Sequence, residues 1–261
     1  MTILLLFLAA LWAGAQNALA GGGSFITFPA LMLLGMDARA ANITSTVALF
    51  PGQLATGWTG RRSVAGAESL SFRALVAFSL VGGALGAVLL LATPASFFAH
   101  LVPWLVLFAT AVFAWGSFAR PPRPAQDGPA PDGAPSLPAA RRPLGPWPAG
   151  AAQFAISVYG GYFGGGIGFL MLAALTVAGL PMRRAGATKN VLAAMMNASA
   201  MLIFVFSPAV RWGAAAVVAA GAIVGGQLGA WMLLRVDDRI LRAGVVLIGL
   251  ALTAALFVWT P

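Results

Sequence analysis

The chain has 261 residues, of which 60% are hydrophobic and 8% charged, with 15 Lys and Arg against 6 Asp and Glu for a net charge of +9. A soluble domain carries roughly 25% charged residues, so this composition excludes a soluble globular protein and indicates an integral membrane one. With no cysteine and one histidine, His100, the chain is not built for disulfides, thiolate chemistry or a multi-histidine metal site.

Apolar runs between short polar loops predict a bundle of helices, because a β-barrel would alternate in segments of about ten residues. In chain order the runs are a (2–20), b (24–36), c (41–59), d (70–92) and e (95–118). Residues 120–148 are rich in Pro, Ala, Gly and Arg and read as an extended linker. The series then restarts as a′ (149–163), b′ (167–179), c′ (186–206), d′ (211–233) and e′ (238–259). The predicted organisation is a first membrane repeat over 1–119, a linker over 120–148 and a second membrane repeat over 149–261. Segment a ends in small residues, as a cleavable signal peptide does, but it has no basic leading region. The same pattern recurs before Gly164, so segment a is read as retained.

A glycine triplet interrupts each repeat, at Gly21-Gly22-Gly23 and at Gly164-Gly165-Gly166, 143 residues apart. Val81-Gly82-Gly83-Ala84-Leu85-Gly86 recurs at the same offset as Val224-Gly225-Gly226-Gln227-Leu228-Gly229. Two glycine motifs at one shift indicate internal duplication. Each glycine costs a helix about 1 kcal/mol relative to alanine, so a triplet ends it. Segments b and b′, about 13 residues long, would span about 20 Å, short of the roughly 30 Å hydrocarbon core. Such breaks in an apolar layer must be enclosed by protein or line a cavity, and paired breaks in two halves point to a transport site.

The basic residues set the topology. If the loop with Arg61, Arg62 and Arg73 is cytoplasmic, 13 of the 15 basic residues fall inside and only Arg39 and Arg211 outside. The net charge is then the positive-inside signal rather than a nucleic-acid footprint. The expected fold is an all-α integral membrane protein of two inverted repeats, each with a glycine-tipped short helical hairpin plus three transmembrane helices. The linker is expected to be cytoplasmic and both termini extracytoplasmic, in the cell inner membrane.

Helices b and b′ start at the tips, so their free N–H groups favour an anion. The candidates are Gly22, Gly23 and Ser24 with Gly165 and Gly166; tight hairpin packing alone would also explain these glycines. Polar residues open c and c′: Thr44 and Ser45 match Thr188 and Lys189, with Asn42 and Asn190 beside them. Asn, Thr and Ser also suit helix starts. Lys189, the single lysine, either snorkels to the cytoplasmic surface or meets an anion. Gln53 and Asn197 place a carboxamide at one depth of each repeat, either to bridge helices or to touch substrate. All six acidic residues, Asp37, Glu68, Asp127, Asp132, Asp237 and Asp238, lie in loops or the linker. Without a carboxylate in the apolar layer, a cationic substrate and a carboxylate proton relay are disfavoured. No cofactor or metal is expected. The expected partners are a small inorganic or organic anion and the lipid bilayer, with no nucleic acid, and a homodimer is compatible with the sequence.

These motifs, with Gly35…Asn42-Ile43-Thr44-Ser45 and Gly179-Leu180-Pro181…Arg184-Ala185…Ala187-Thr188-Lys189-Asn190, resemble the TauE/SafE sulfite exporter family across both halves. The resemblance implies a multi-span exporter of sulfite or organosulfonates. Some members carry a Thr-Ser pair in both repeats; here the second pair reads Thr188-Lys189. The topology predicts that a reporter fused after Pro261 reads out on the extracytoplasmic side; a cytoplasmic signal overturns it.

Overall fold

The structure, a computed structural model, describes residues 2–19, 22–67, 70–118, 145–232 and scattered positions from 243 to 257. Outside the described residues lie Gly21, residues 119–144 of the end of repeat one and the linker, the Arg235, Arg239 and Arg242 loop, and every acidic residue except Asp37. The helices are α1 (Thr2–Leu19), α2 (Ser24–Leu33), α3 (Ala38–Gly60), α4 (Phe72–Ala92), α5 (Ala95–Phe118), α6 (Pro146–Tyr162), α7 (Ile167–Val177), α8 (Met182–Phe204) and α9 (Trp212–Met232). Among the described residues the only β feature is an isolated bridge between Ala67 and Leu70.

Local chemistry explains the helix ends. Asp37 accepts a hydrogen bond from the Ala40 N–H at 3.0 Å and caps α3, and Ser71 caps α4 by accepting from Ala74 at 3.2 Å. Such caps are worth about 1 kcal/mol each. Pro146 starts α6 within the predicted linker, because proline's fixed φ suits the first helical position. Pro51 sits inside α3, which continues through it to Gly60. The Arg39 guanidinium donates to the Leu91 and Thr93 carbonyls, at 3.4 and 2.9 Å, at the end of α4. A basic residue predicted to face outside is thus used as a C-terminal cap.

The hairpins have unequal arms. α1 has 18 residues and α6 has 17, whereas α2 has 10 and α7 has 11. At about 1.5 Å per residue the short arms reach only about half of a roughly 30 Å apolar layer. α4 and residues 95–112 of α5 are long and apolar enough to cross one. Large apolar side chains such as Leu4, Leu85, Val88, Leu89, Trp104 and Leu228 are exposed on the outer faces, as a lipid-facing surface requires.

The two repeats exchange partners. α1 packs along α9 and α4 along α6, so the first helix of each repeat lies on the fourth helix of the other. Both pairs run parallel: Phe7 and Ala10 meet Gly221, and Leu11 meets Gly225. Glycines make these seams. A Cβ on Gly225 would strike the Leu11 carbonyl, one on Gly86 the Val158 carbonyl, and one on Gly161 the Gly83 carbonyl. Gly226 differs from expectation, since a Cβ there would find its nearest atom 3.8 Å away.

α3 and α8, the equivalent third helices, pack against each other in opposite directions. Thr44 near the start of α3 accepts from the Arg211 N–H beyond the end of α8, at 3.2 Å. Its equivalent Thr188 near the start of α8 accepts from the Ala65 N–H beyond the end of α3, at 3.0 Å. The core forms two clusters, one around Phe28, Phe98, Ile43, Leu49 and Phe204, the other around Leu75, Met171, Leu192 and Met196. Phe28 of α2 meets Phe163 beside the second glycine tip edge-to-face, with ring centroids 5.8 Å apart.

Gly225→Val is expected to destabilise the protein by about 1–3 kcal/mol, because overpacking forces the backbones apart. Thermal unfolding in detergent reads this; an unchanged midpoint would show that the α1–α9 seam tolerates a side chain.

Candidate functional site

The two glycine tips meet in the interior. A small cavity of about 30 Å³ is lined by Asn17, Gly22 and Ser24 of the first hairpin and Gly164, Ile167 and Gly168 of the second. Gln53 and Thr56 of α3 and Lys189, Asn190 and Ala193 of α8 complete it. The spacings 53/56 and 189/190/193 put each set on one helical face. Because α3 and α8 are antiparallel, the C-terminal half of one faces the N-terminal half of the other. Their approach is close: a Cβ on Gly57 would lie 3.0 Å from the Ala194 Cβ and 3.3 Å from the Asn190 carbonyl.

Each tip has a local cause. Gly22 has φ +92° and Gly166 has φ +74°, conformations that side chains resist. The Gly22 carbonyl accepts weakly from Gln16 Nε2 at 3.4 Å, and the Gly165 carbonyl accepts from the Tyr159 hydroxyl at 2.9 Å. The first backbone bonds within α7 run from Phe169 and Leu170 back to Gly166. The N–H groups of Ile167 and Gly168 therefore have no intrahelical acceptor, and both residues line the cavity.

Lys189 supplies the charge. Among the described residues no carboxylate lines the cavity and no ion pair reaches the lysine. The buried Gln53 Oε1 has no hydrogen-bond partner among the described residues. The Thr56 hydroxyl donates to the Gly52 and Gln53 carbonyls, at 3.3 and 2.9 Å. An ammonium group, three carboxamides (Asn17, Gln53 and Asn190), a serine hydroxyl and two helix N-termini can together hold an anion through charge and directed donors. Among the described residues no group of three or more His, Asp and Glu is arranged to hold a metal ion.

Of the predicted residues, Gly22, Ser24, Gln53, Lys189 and Asn190 come together at the cavity. The others lie elsewhere. Gly23 is wedged against the Ala13 carbonyl, and Gly165 and Gly166 pack against Phe163 and Ala109. Thr44 and Thr188 are wholly buried in the reciprocal loop contacts. The Ser45 hydroxyl is 2.6 Å from the Thr27 hydroxyl, which itself donates to the Gly23 carbonyl at 3.3 Å. Asn197, the match of Gln53, donates to the Ala193 carbonyl at 3.1 Å within its own helix. Asn17, Thr56 and Gly164 also line the cavity without having been singled out. Asn17 was legible only as a polar residue closing an apolar run, and Thr56 only as lying one helical turn beyond Gln53.

The described residues form a helical bundle with an apolar exterior and a polar cavity between interior helix breaks, the arrangement of a membrane transporter. Comparison with known proteins agrees. The model for the family described as Sulfite exporter TauE/SafE matches residues 6–256. The chain belongs to the TauE/SafE family. It is 29% identical over 254 residues to the probable membrane transporter protein YfcA of Escherichia coli (strain K12), covering 96% of this chain and 88% of the relative. It is 27% identical to a probable membrane transporter protein of Haemophilus influenzae, covering 96% and 92%. It is 29% identical to the probable membrane transporter protein ORF9 of Sinorhizobium sp, covering 96% and 90%. No solved structure matches the chain.

Gln53→Leu separates function from stability. Removing a buried acceptor with no partner among the described residues is expected to leave thermal stability equal or higher, while loss of the side-chain amide N–H donors lowers anion affinity several-fold. A marked loss of stability would assign Gln53 to the scaffold instead.

Proposed function

We propose that this protein carries sulfite or small organosulfonates across the cell inner membrane, acting as an exporter by alternating access at the cavity between inverted repeats. The observation behind this reading is the Lys189 ammonium group, with no ion-pair partner among the described residues, beside two helix N-termini in a cavity with no described carboxylate. That arrangement favours anions and repels cations. The antiparallel packing of α3 and α8 and the reciprocal Thr44 and Thr188 contacts support the inverted-repeat reading. In that topology the cavity is displaced toward the cytoplasmic face, where Arg61, Arg62 and Arg184 flank the ends of α3 and α8. The linker is then cytoplasmic and both termini extracytoplasmic.

Proteoliposomes loaded with labelled sulfite, sulfate, sulfoacetate or lactate test the substrate class. Saturable flux of sulfite or sulfoacetate with counterflow is the expected result; ohmic single-channel currents overturn the carrier mechanism. Lys189→Ala is expected to lower anion affinity by about tenfold or more, as loss of a charge-assisted hydrogen bond implies, with expression retained. Lys189→Arg should recover part of it. Unchanged flux in Lys189→Ala removes the lysine from the site.

A further inference from the structure

A helix break exposes partial charge of both signs. The arm that ends at the break leaves carbonyl oxygens without intrahelical donors, and the arm that starts there leaves N–H groups without acceptors. The N–H groups of Ile167 and Gly168 favour an anion, but unpaired carbonyls beside them would repel it and would be costly in an apolar layer. At the second break two donors are set against the carbonyl side. The Tyr159 hydroxyl donates to the Gly165 carbonyl at 2.9 Å. From the other repeat, the buried Asn42 of α3 donates its side-chain amide to the Tyr162 carbonyl, also at 2.9 Å.

Both donors are held in place. The Tyr159 ring packs edge-to-face on Phe108 and Phe163, with centroids 5.6 and 6.3 Å away. The last turn of α6 is tied down again where the Tyr162 hydroxyl donates to Thr93 Oγ1 at 3.3 Å and its ring meets Phe98 at 5.6 Å. The first repeat lacks these groups. Gln16, 143 residues before Tyr159, donates to the Gly22 carbonyl at 3.4 Å. That is longer than the usual hydrogen bond of about 2.9 Å. Leu19 stands at the position of Tyr162 and has no hydroxyl. Gly186 follows Asn42 by 144 residues, as Thr188 follows Thr44. It has no side chain to donate, and a Cβ there would meet nothing within 4 Å.

We propose that Tyr159 and Asn42 are positioning residues for the anion. By occupying carbonyls of the second break they leave its N–H groups to set the sign of that tip, so the second tip rather than the first presents the anion-binding face. The proposal rests on the reading of the Lys189 cavity as the anion site. Neither side chain lines that cavity, so both act through the backbone they hold.

The test is sulfite uptake against concentration by the full protein in proteoliposomes. Tyr159→Phe keeps the ring and removes the donor, whereas Tyr159→Gln keeps a donor of the kind the first repeat uses and removes the ring. Tyr159→Phe is expected to raise the KM for sulfite about fivefold, with Vmax within about twofold of wild type. Tyr159→Gln is expected to raise KM less than Tyr159→Phe does. Asn42→Leu, similar in volume, should raise KM as Tyr159→Phe does, while Gln16→Leu in the first repeat leaves it within about twofold. Thermal unfolding in detergent shows which variants are folded, and Tyr159→Phe alone decides if Tyr159→Gln is not. A larger KM in Tyr159→Gln than in Tyr159→Phe, or an unchanged KM in folded Tyr159→Phe, overturns this assignment alone. No saturable sulfite uptake by the wild type, with Lys189→Ala behaving identically, overturns the anion site and this assignment with it.

Discussion

Hydrocarbon cannot hydrogen-bond to a peptide group, and this constraint governs the structure. Every helix break inside an apolar layer leaves N–H groups that the protein must enclose or turn toward a water-filled space. Among the described residues two such breaks fall at Gly22–Gly23 and at Gly164–Gly166. Their enclosure depends on α3 and α8 lying between them and on the α1–α9 and α4–α6 pairs at the sides. The glycines of those pairs allow backbones to approach without intervening side chains, the usual basis of helix association where lipid competes for apolar surface. In the proposed function, the free N–H groups that would penalise the fold elsewhere attract the anion.

The duplicated halves are put to unequal use. Thr44 and Thr188 occupy equivalent positions and do equivalent work, each tying down the loop that joins the third and fourth helices of the other repeat. Ser45 and Lys189 are also equivalent, yet Ser45 closes onto Thr27 while Lys189 lines the cavity. Gln53 and Asn197 diverge in the same way. One points an unpaired carbonyl oxygen into a buried space, and the other satisfies its amide on its own helix. The antiparallel crossing of α3 and α8 groups these residues by end: Gln53 and Lys189 share the end that holds the cavity, and Ser45 and Asn197 the end whose polar groups are satisfied within the protein. Alternating access, as proposed, would exchange these two conditions.

In the proposed function, the site selects by charge first and by shape second. A lone ammonium and two helix N-termini set the sign of the substrate, which the sparse acidic residues leave unopposed. Amide and hydroxyl groups set orientation.

Much of the architecture was legible in the residues themselves. Helix positions followed from apolar runs and their glycine, proline and capping boundaries, because in an apolar layer the backbone has no alternative to the helix. The glycine breaks and Lys189 stand out in the sequence for the same reason: each violates the local rule for an apolar helix. The membership of the site was not. Thr44, Ser45, Thr188 and Asn197 carry the same polar chemistry as Ser24, Gln53 and Asn190, and only the crossing of α3 and α8 decides which of them satisfy one another and which face the cavity. Nor did Gly226 differ in sequence from the glycines that seal the seams. Whether a missing side chain means contact or space depends on what the opposing helix places there, and that is a property of the packing.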